Sequence, residues 1–122
     1  MTTKIILLGH GSRREEANLS LKEMAGKVSF FLNEEVTPAF MAHSSPNLPE
    51  AVLKKINEGA TRIIIMPLFL FRGIHVTTDI HEELREIRSL YPEMEIVFTN
   101  ELGADDVIAK LASTRIKEVR GA

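Results

Sequence analysis

Four short apolar runs, each followed by an amphipathic stretch, constrain this chain more than any other feature. Ile5-Ile6-Leu7-Leu8, ended by Gly9, and Ile63-Ile64-Ile65-Met66, ended by Pro67, are continuous β-favouring segments of the kind buried on both faces of a parallel sheet. Val36 to Met41 is a weaker strand, because Pro38 removes a backbone donor and suits an edge or a strand start. Met94 to Phe98 is the fourth. Ser12-Arg13-Arg14-Glu15 has the spacing of a capping box, and behind it Ala17, Leu21, Met24, Val28 and Phe31 recur at helical intervals. Asn47-Leu48-Pro49-Glu50 opens a second helix with Val52, Leu53 and Ile56 inward and Gly59 as its C-terminal cap. Asp79 with Glu82 caps a third, with Ile80, Leu84, Ile87 and Leu90 inward. Asp105 to about Lys117 forms a fourth, with Ile108, Leu111 and Ala112 inward.

A βα unit repeated four times implies an α/β fold: a four-stranded parallel sheet with helices on both faces, since each parallel pair needs a right-handed crossover. The chain is 122 residues, which suits a single domain over 1–122. Fold precedent supplies a strand order of 2-1-3-4, a flavodoxin-like topology. Ligands of such sheets bind beyond the carboxyl ends of the strands where the order reverses, here between the first and third strands.

Composition removes several classes of function. Fifteen Lys and Arg against seventeen Asp and Glu offer no bulk attraction to nucleic acid. The absence of cysteine excludes disulfides, thiolate zinc sites and cysteine nucleophiles. The longest apolar stretch, Ile63 to Phe71, is nine residues and contains Pro67, so the expectation is a cytoplasmic protein with no membrane partner.

Any metal chemistry must then use His, carboxylates or hydroxyls. Of the four histidines, His10 follows the first strand, His43 the second and His75 the third, on one rim of the sheet; His81 lies further on and reads as a bystander. Gly9-His10-Gly11-Ser12 sets an imidazole in a turn that glycine lets a bulky ligand approach closely, beside a helix amino terminus. Phe71-Arg72-Gly73-Ile74-His75 supplies an apolar wall, a cation and a second imidazole. An imidazole can bind a divalent metal or accept a proton near neutral pH. Two of them on an open pocket suit transient handling of a metal, because a structural site uses four protein ligands.

No phosphate loop, dinucleotide fingerprint or nucleophile elbow is present, and Ser12 reads as a helix cap. Phosphoryl transfer through His10 would call for an arginine before it, where Gly9 stands.

Leu8-Gly9-His10-Gly11-Ser12-Arg13 with Ala17-Asn18, Ala39-Phe40-Met41, Pro46 to Ala51, Pro67-Leu68-Phe69-Leu70 and Gly73 to Ile80 together resemble the small CbiX-type sirohydrochlorin chelatases, over about residues 4 to 110. The resemblance implies a chelatase-like fold and ATP-independent insertion of Co²⁺, Ni²⁺ or Fe²⁺ into sirohydrochlorin in cobalamin or related tetrapyrrole biosynthesis. The metal would be substrate, with no permanently bound cofactor, and the tetrapyrrole would lie between the subunits of a homodimer. On this resemblance His10 is proton acceptor and metal ligand, and His75 the second ligand. Ser45 and the loop of Leu70, Phe71, Arg72, Gly73 and Ile74 contact the macrocycle. Loss of two pyrrole protons as metal enters requires a base beside it, and two imidazoles hold the metal loosely enough to release it.

One departure stands out. The family carries Glu within the segment matching Ala42-His43-Ser44-Ser45, including an acid just before the proline, where this chain has Ser45. Either His43 serves as auxiliary ligand or base, or the substrate or metal preference differs. A non-catalytic tetrapyrrole or metal carrier on the same fold is the alternative.

Overall fold

The computed structural model describes residues 1–71 and 73–121, with side chains for all of these except Ile74, His75 and Val76. The elements alternate as β1 (Thr3–Gly9), α1 (Glu15–Leu32), β2 (Val36–Phe40), α2 (Leu48–Asn57), β3 (Arg62–Pro67), α3 (Ile74–Leu90), β4 (Glu95–Phe98) and α4 (Asp106–Arg120). All pairings are parallel and the order is β2-β1-β3-β4, the predicted one. The edge position of β2 accommodates Pro38, which faces Leu7 in the register.

Alternation along β1 and β3 sorts side chains into two layers. Ile6, Leu8, Ile63 and Ile65 turn toward α2 and α3 and pack with Leu48, Val52 and Leu84, all essentially fully buried. Leu7 turns the other way, toward Leu21 and Ala25 of α1, with Val36 and Phe40. Each fully buried Ile or Leu contributes roughly 1.5–3 kcal/mol, so these two layers hold the sheet. Among the described residues, no helix is long and apolar enough to cross a membrane.

α2 begins as its sequence predicts. The Asn47 side chain accepts from the Glu50 amide (2.9 Å) and the Glu50 carboxylate from the Asn47 amide (2.8 Å), a complete capping box. The helix ends at Asn57, and Gly59 beyond it takes the left-handed conformation (φ 97°). The starts of α1 and α3 differ from expectation. α1 has no capping box: it starts at Glu15 with Arg14 as an uncapped N-cap, and the Ser12 hydroxyl instead accepts from the Arg14 amide (3.0 Å). α3 starts at Ile74 behind Gly73, so Asp79 and Glu82 lie inside it and His75 belongs to its first turn. The buried stripe of α1 is Asn18, Leu21 and Ala25, rotated from the predicted one; Met24 is 41% exposed and Phe31 84%. Asn18 draws the helix round because its amide bonds the preceding loop. α4 starts as predicted, Asp105 capping the Val107 amide (2.8 Å), but its expected inward face is not buried: Leu111 and Ala112 are exposed and Ile108 half-buried.

A buried cation closes the amino-terminal rim of the sheet. Lys55 of α2 keeps 3% of its side chain exposed and donates to Glu35 (2.9 Å) and Glu58 (3.1 Å). Burial pulls its ammonium toward the neutral form, but the two carboxylate hydrogen bonds outweigh this and its pKa is raised. Lys55 correspondingly holds Glu35 below the usual carboxylate range, first by hydrogen bonding and then by charge. A lowered carboxylate stabilises the fold above its unfolded pKa and loses that contribution as pH falls. Replacing both Glu35 and Glu58 by Gln should therefore cost about 2 kcal/mol in urea unfolding at neutral pH, the partly exposed Glu35 keeping the figure low. The deficit should shrink in acid, and Lys55→Met should stay within about 1 kcal/mol of the parent because it removes the buried charge itself.

Candidate active site

The carboxyl ends of β1, β2 and β3 are laced together through the backbone. The Leu8 carbonyl accepts from the Leu68 amide (2.8 Å), the Gly9 carbonyl from Met41 (2.9 Å) and the His10 carbonyl from Ala42 (3.0 Å). The turn after β1 is thereby an extension of the sheet. Its glycines are dictated by space. Gly11 has φ 84°, and a Cβ there would stand 1.7 Å from the Ala42 carbonyl oxygen; at Gly9 a Cβ would meet Leu21 at 2.7 Å.

Asn18, 2% exposed, fixes the far end of this turn. Its Oδ1 accepts from the Ser12 amide (2.9 Å) and its Nδ2 donates to the Ser12 carbonyl (2.8 Å). A buried amide satisfied on both atoms is a rigid clamp. Asn18 is not among the sequence-predicted site residues; a polar residue at an inward helical position, six residues beyond Ser12, is the signal that marks it.

Held so, the His10 imidazole lies flat on Phe69, with ring centroids 3.9 Å apart and planes 23° apart. Phe69, itself 5% exposed, sits two residues past β3. The first and third strands thus meet at this ring pair, at the switch point. The His10 side chain is exposed, and neither ring nitrogen has a hydrogen-bond partner among the described residues. Of the two, the nitrogen without hydrogen in the neutral ring can take a metal or a proton. A cavity of about 340 Å³ opens on the α1 side, lined by His10, Ser12, Asn18, Met24, Phe40 and Leu68. Another of about 250 Å³ opens on the α3 side, lined by Phe69, Thr77, Ile80, His81, Phe98 and Glu101. The stacked pair stands between them.

The remaining candidates divide. His43 is exposed at the tip of a tight excursion closed by the Phe40 amide on the Pro46 carbonyl (3.0 Å), in the left-handed conformation (φ 65°). It directly follows Ala42, whose amide holds His10. Ser45, exposed, precedes Pro46 through a cis bond. Leu70 and Phe71 are 50% and 72% exposed, and Gly73 is the exposed N-cap of α3. Arg72 and the side chains of Ile74 and His75 lie outside the described residues. His81, passed over in the sequence, lines the second cavity with its ring edge-on to Phe98 at 5.7 Å. It is exposed, on the flank of α3 next to the buried stripe of Ile80, Leu84 and Ile87.

Among the described residues, no group of three or more His, Asp or Glu converges on a point.

Loss of the clamp should be visible in stability. Asn18→Ala leaves two Ser12 backbone groups unpaired and should cost about 1–3 kcal/mol in urea unfolding. Asn18→Asp keeps the acceptor but turns an oxygen on the Ser12 carbonyl, so it should recover only part. Gly11→Ala, strained and overlapping Ala42, should cost more than either.

A family model described as CbiX matches residues 4–119. The sirohydrochlorin cobaltochelatase of Methanosarcina barkeri is 33% identical, over 97% of this chain and 98% of its own length. The chloroplastic sirohydrochlorin ferrochelatase of Arabidopsis thaliana is 32% identical over 93% of this chain, which spans about half (51%) of that protein. The sirohydrochlorin chelatase SirB from Bacillus subtilis subspecies spizizenii, solved in complex with cobalt, superposes with a TM-score of 0.89 at 26% identity. That superposition takes in 98% of this chain and 51% of SirB. A match over nearly the whole chain, on the same fold, decides the relationship: the chain belongs to the CbiX family.

Proposed function

We propose that this protein inserts a divalent metal, Co²⁺ with Ni²⁺ and Fe²⁺ as the further candidates, into sirohydrochlorin without ATP. The observation that carries the reading is His10: an exposed imidazole, pinned through its backbone and stacked on Phe69, with both ring nitrogens unpartnered among the described residues. The names of the relatives, cobaltochelatases and ferrochelatases of sirohydrochlorin, support it.

In this reading His10 holds the incoming metal through the unprotonated nitrogen of its neutral ring; as the metal passes to the macrocycle, the lone pair it frees takes one of the two pyrrole protons and the other leaves to solvent. His75, in the first turn of α3, is the second ligand. The exposed faces of Leu70 and Phe71, with Arg72, Gly73 and Ile74, meet the macrocycle, and Arg72 pairs with its carboxylates. Ser45 touches its edge. His43 takes the place of the acid this segment lacks, as an auxiliary ligand. The metal is substrate, the donors are all nitrogen, and no resident cofactor takes part. The protein works in the cytoplasm as a homodimer, the second copy closing the macrocycle site.

Following sirohydrochlorin absorbance with each metal in turn tests this. Insertion should accelerate with at least one metal, and His10→Ala should lower the rate by roughly 10²–10⁴-fold, the usual weight of a general base. His43→Ala should weaken metal affinity while leaving the macrocycle bound; unchanged affinity and turnover would remove His43 from the site. Macrocycle binding with no accelerated insertion by any metal would make the protein a carrier.

A further inference from the structure

Of the four histidines, His81 alone takes no part in the reaction proposed above. Its ring stands edge-on to Phe98, with centroids 5.7 Å apart, and neither nitrogen has a hydrogen-bond partner among the described residues. A neutral imidazole so placed presents one unprotonated nitrogen to whatever enters beside it.

Glu101 brings a second donor. It follows β4 at the carboxyl end of the sheet and lines the same cavity of about 250 Å³ as His81. A carboxylate carries about four lone-pair sites, so it can face a cation while keeping another contact. The Thr77 hydroxyl belongs to the same lining, one turn before His81. The remaining walls, with Phe69, Ile80 and Phe98, are apolar. Such walls lower the local dielectric and strengthen the pull of a carboxylate on a cation. The volume is sufficient: an octahedral ion with two protein donors keeps four waters, which fill about 120 Å³ at liquid density. A resident ion takes three or four protein donors; two hold it briefly. The nearest cations on α3 do not oppose this. Arg85 is held by Glu82 (2.9 Å), and Arg88 lies two turns beyond His81; both line a hollow on the outward side of the helix and neither lines the cavity.

Position gives these donors a use. Phe69 lines this cavity and also carries the His10 ring. On the same helix His75 precedes His81 by six residues, about 9 Å along the axis. We propose that His81 and Glu101 form an entry station for a divalent metal, which binds there before it passes to His10 and His75. That the ion held there is the one inserted rests on the chelatase reading; the station itself rests on the cavity and its donors.

Titrating Co²⁺ into the metal-free protein, with no macrocycle present, tests this by calorimetry and by proton NMR of the histidine rings. The parent should bind two ions per chain. His81→Ala and Glu101→Gln should each weaken one event at least tenfold and leave the other in place. His81 is exposed, so its loss should leave the circular dichroism unchanged. In His10→Ala chains Co²⁺ should still broaden the His81 ring signals, and adding Glu101→Gln should sharpen them again. With sirohydrochlorin present, His81→Ala should slow insertion at low Co²⁺ and regain rate as Co²⁺ is raised. Binding left intact by His81→Ala, a His81 ring that Co²⁺ leaves sharp, or an equal loss of rate at every Co²⁺ concentration would overturn the station. Two ions bound by a protein that inserts no metal would defeat the chelatase reading alone.

Discussion

Three backbone hydrogen bonds at the carboxyl end of β1 govern the rest of this molecule. By donating to Leu8, Gly9 and His10, the amides of Leu68, Met41 and Ala42 carry the parallel ladder past the strands and into the loops. The turn around His10 is then as fixed as the sheet, and the loops after β2 and β3 are fixed with it. That closeness leaves no volume for a side chain at Gly11, where the Ala42 carbonyl already stands. Buried backbone groups must be paired, so the same bonds that order the loops also determine where the imidazole emerges.

The site built on this lacing separates support from reactivity. Asn18 and Phe69 are buried and fully engaged, the one through two hydrogen bonds to Ser12, the other as a flat bed for the His10 ring. His10 keeps its nitrogens free. A metal-transfer enzyme has this requirement: a ligand rigid enough to meet the metal in one geometry, but short of the complete donor set that would retain it. Open cavities flank the stacked pair, one toward α1 lined by His10 and one toward α3 lined by Phe69. On the α3 side His81 also meets an aromatic ring, but edge-on to Phe98 instead of flat.

Apolar surface left without cover points outward from this centre. α4 and the face of β3 and β4 that holds Ile64 and Val97 each carry side chains whose burial would contribute on the order of 1 kcal/mol or more apiece, and the single chain satisfies neither. The site and this bare surface share a loop, since Leu102 and Gly103 bond the residues flanking the His10 bed.

The alternation of continuous apolar runs with helical stripes determined the α/β class, the eight elements and their order, because strand and helix periods are local properties of the chain. The glycine–histidine turn and the Asn47–Glu50 cap were equally readable, being short motifs whose partners lie within a few residues. What only the tertiary structure decided depended on contacts distant in sequence. The start of α1 and the rotation of its stripe follow from Asn18 bonding the loop at Ser12, which overrides the simpler capping signal of Ser12 and Glu15. The early start of α3 carried His75 from a loop into a helix. The bed under His10 comes from the loop after β3, almost sixty residues away, and His81 gained a place only when α3 docked beside Phe98. The apolar face of α4 shows the limit most directly. Periodicity marks a face as apolar, but which surface covers it is settled by where the chain leads the helix, and here it leads away from its own sheet.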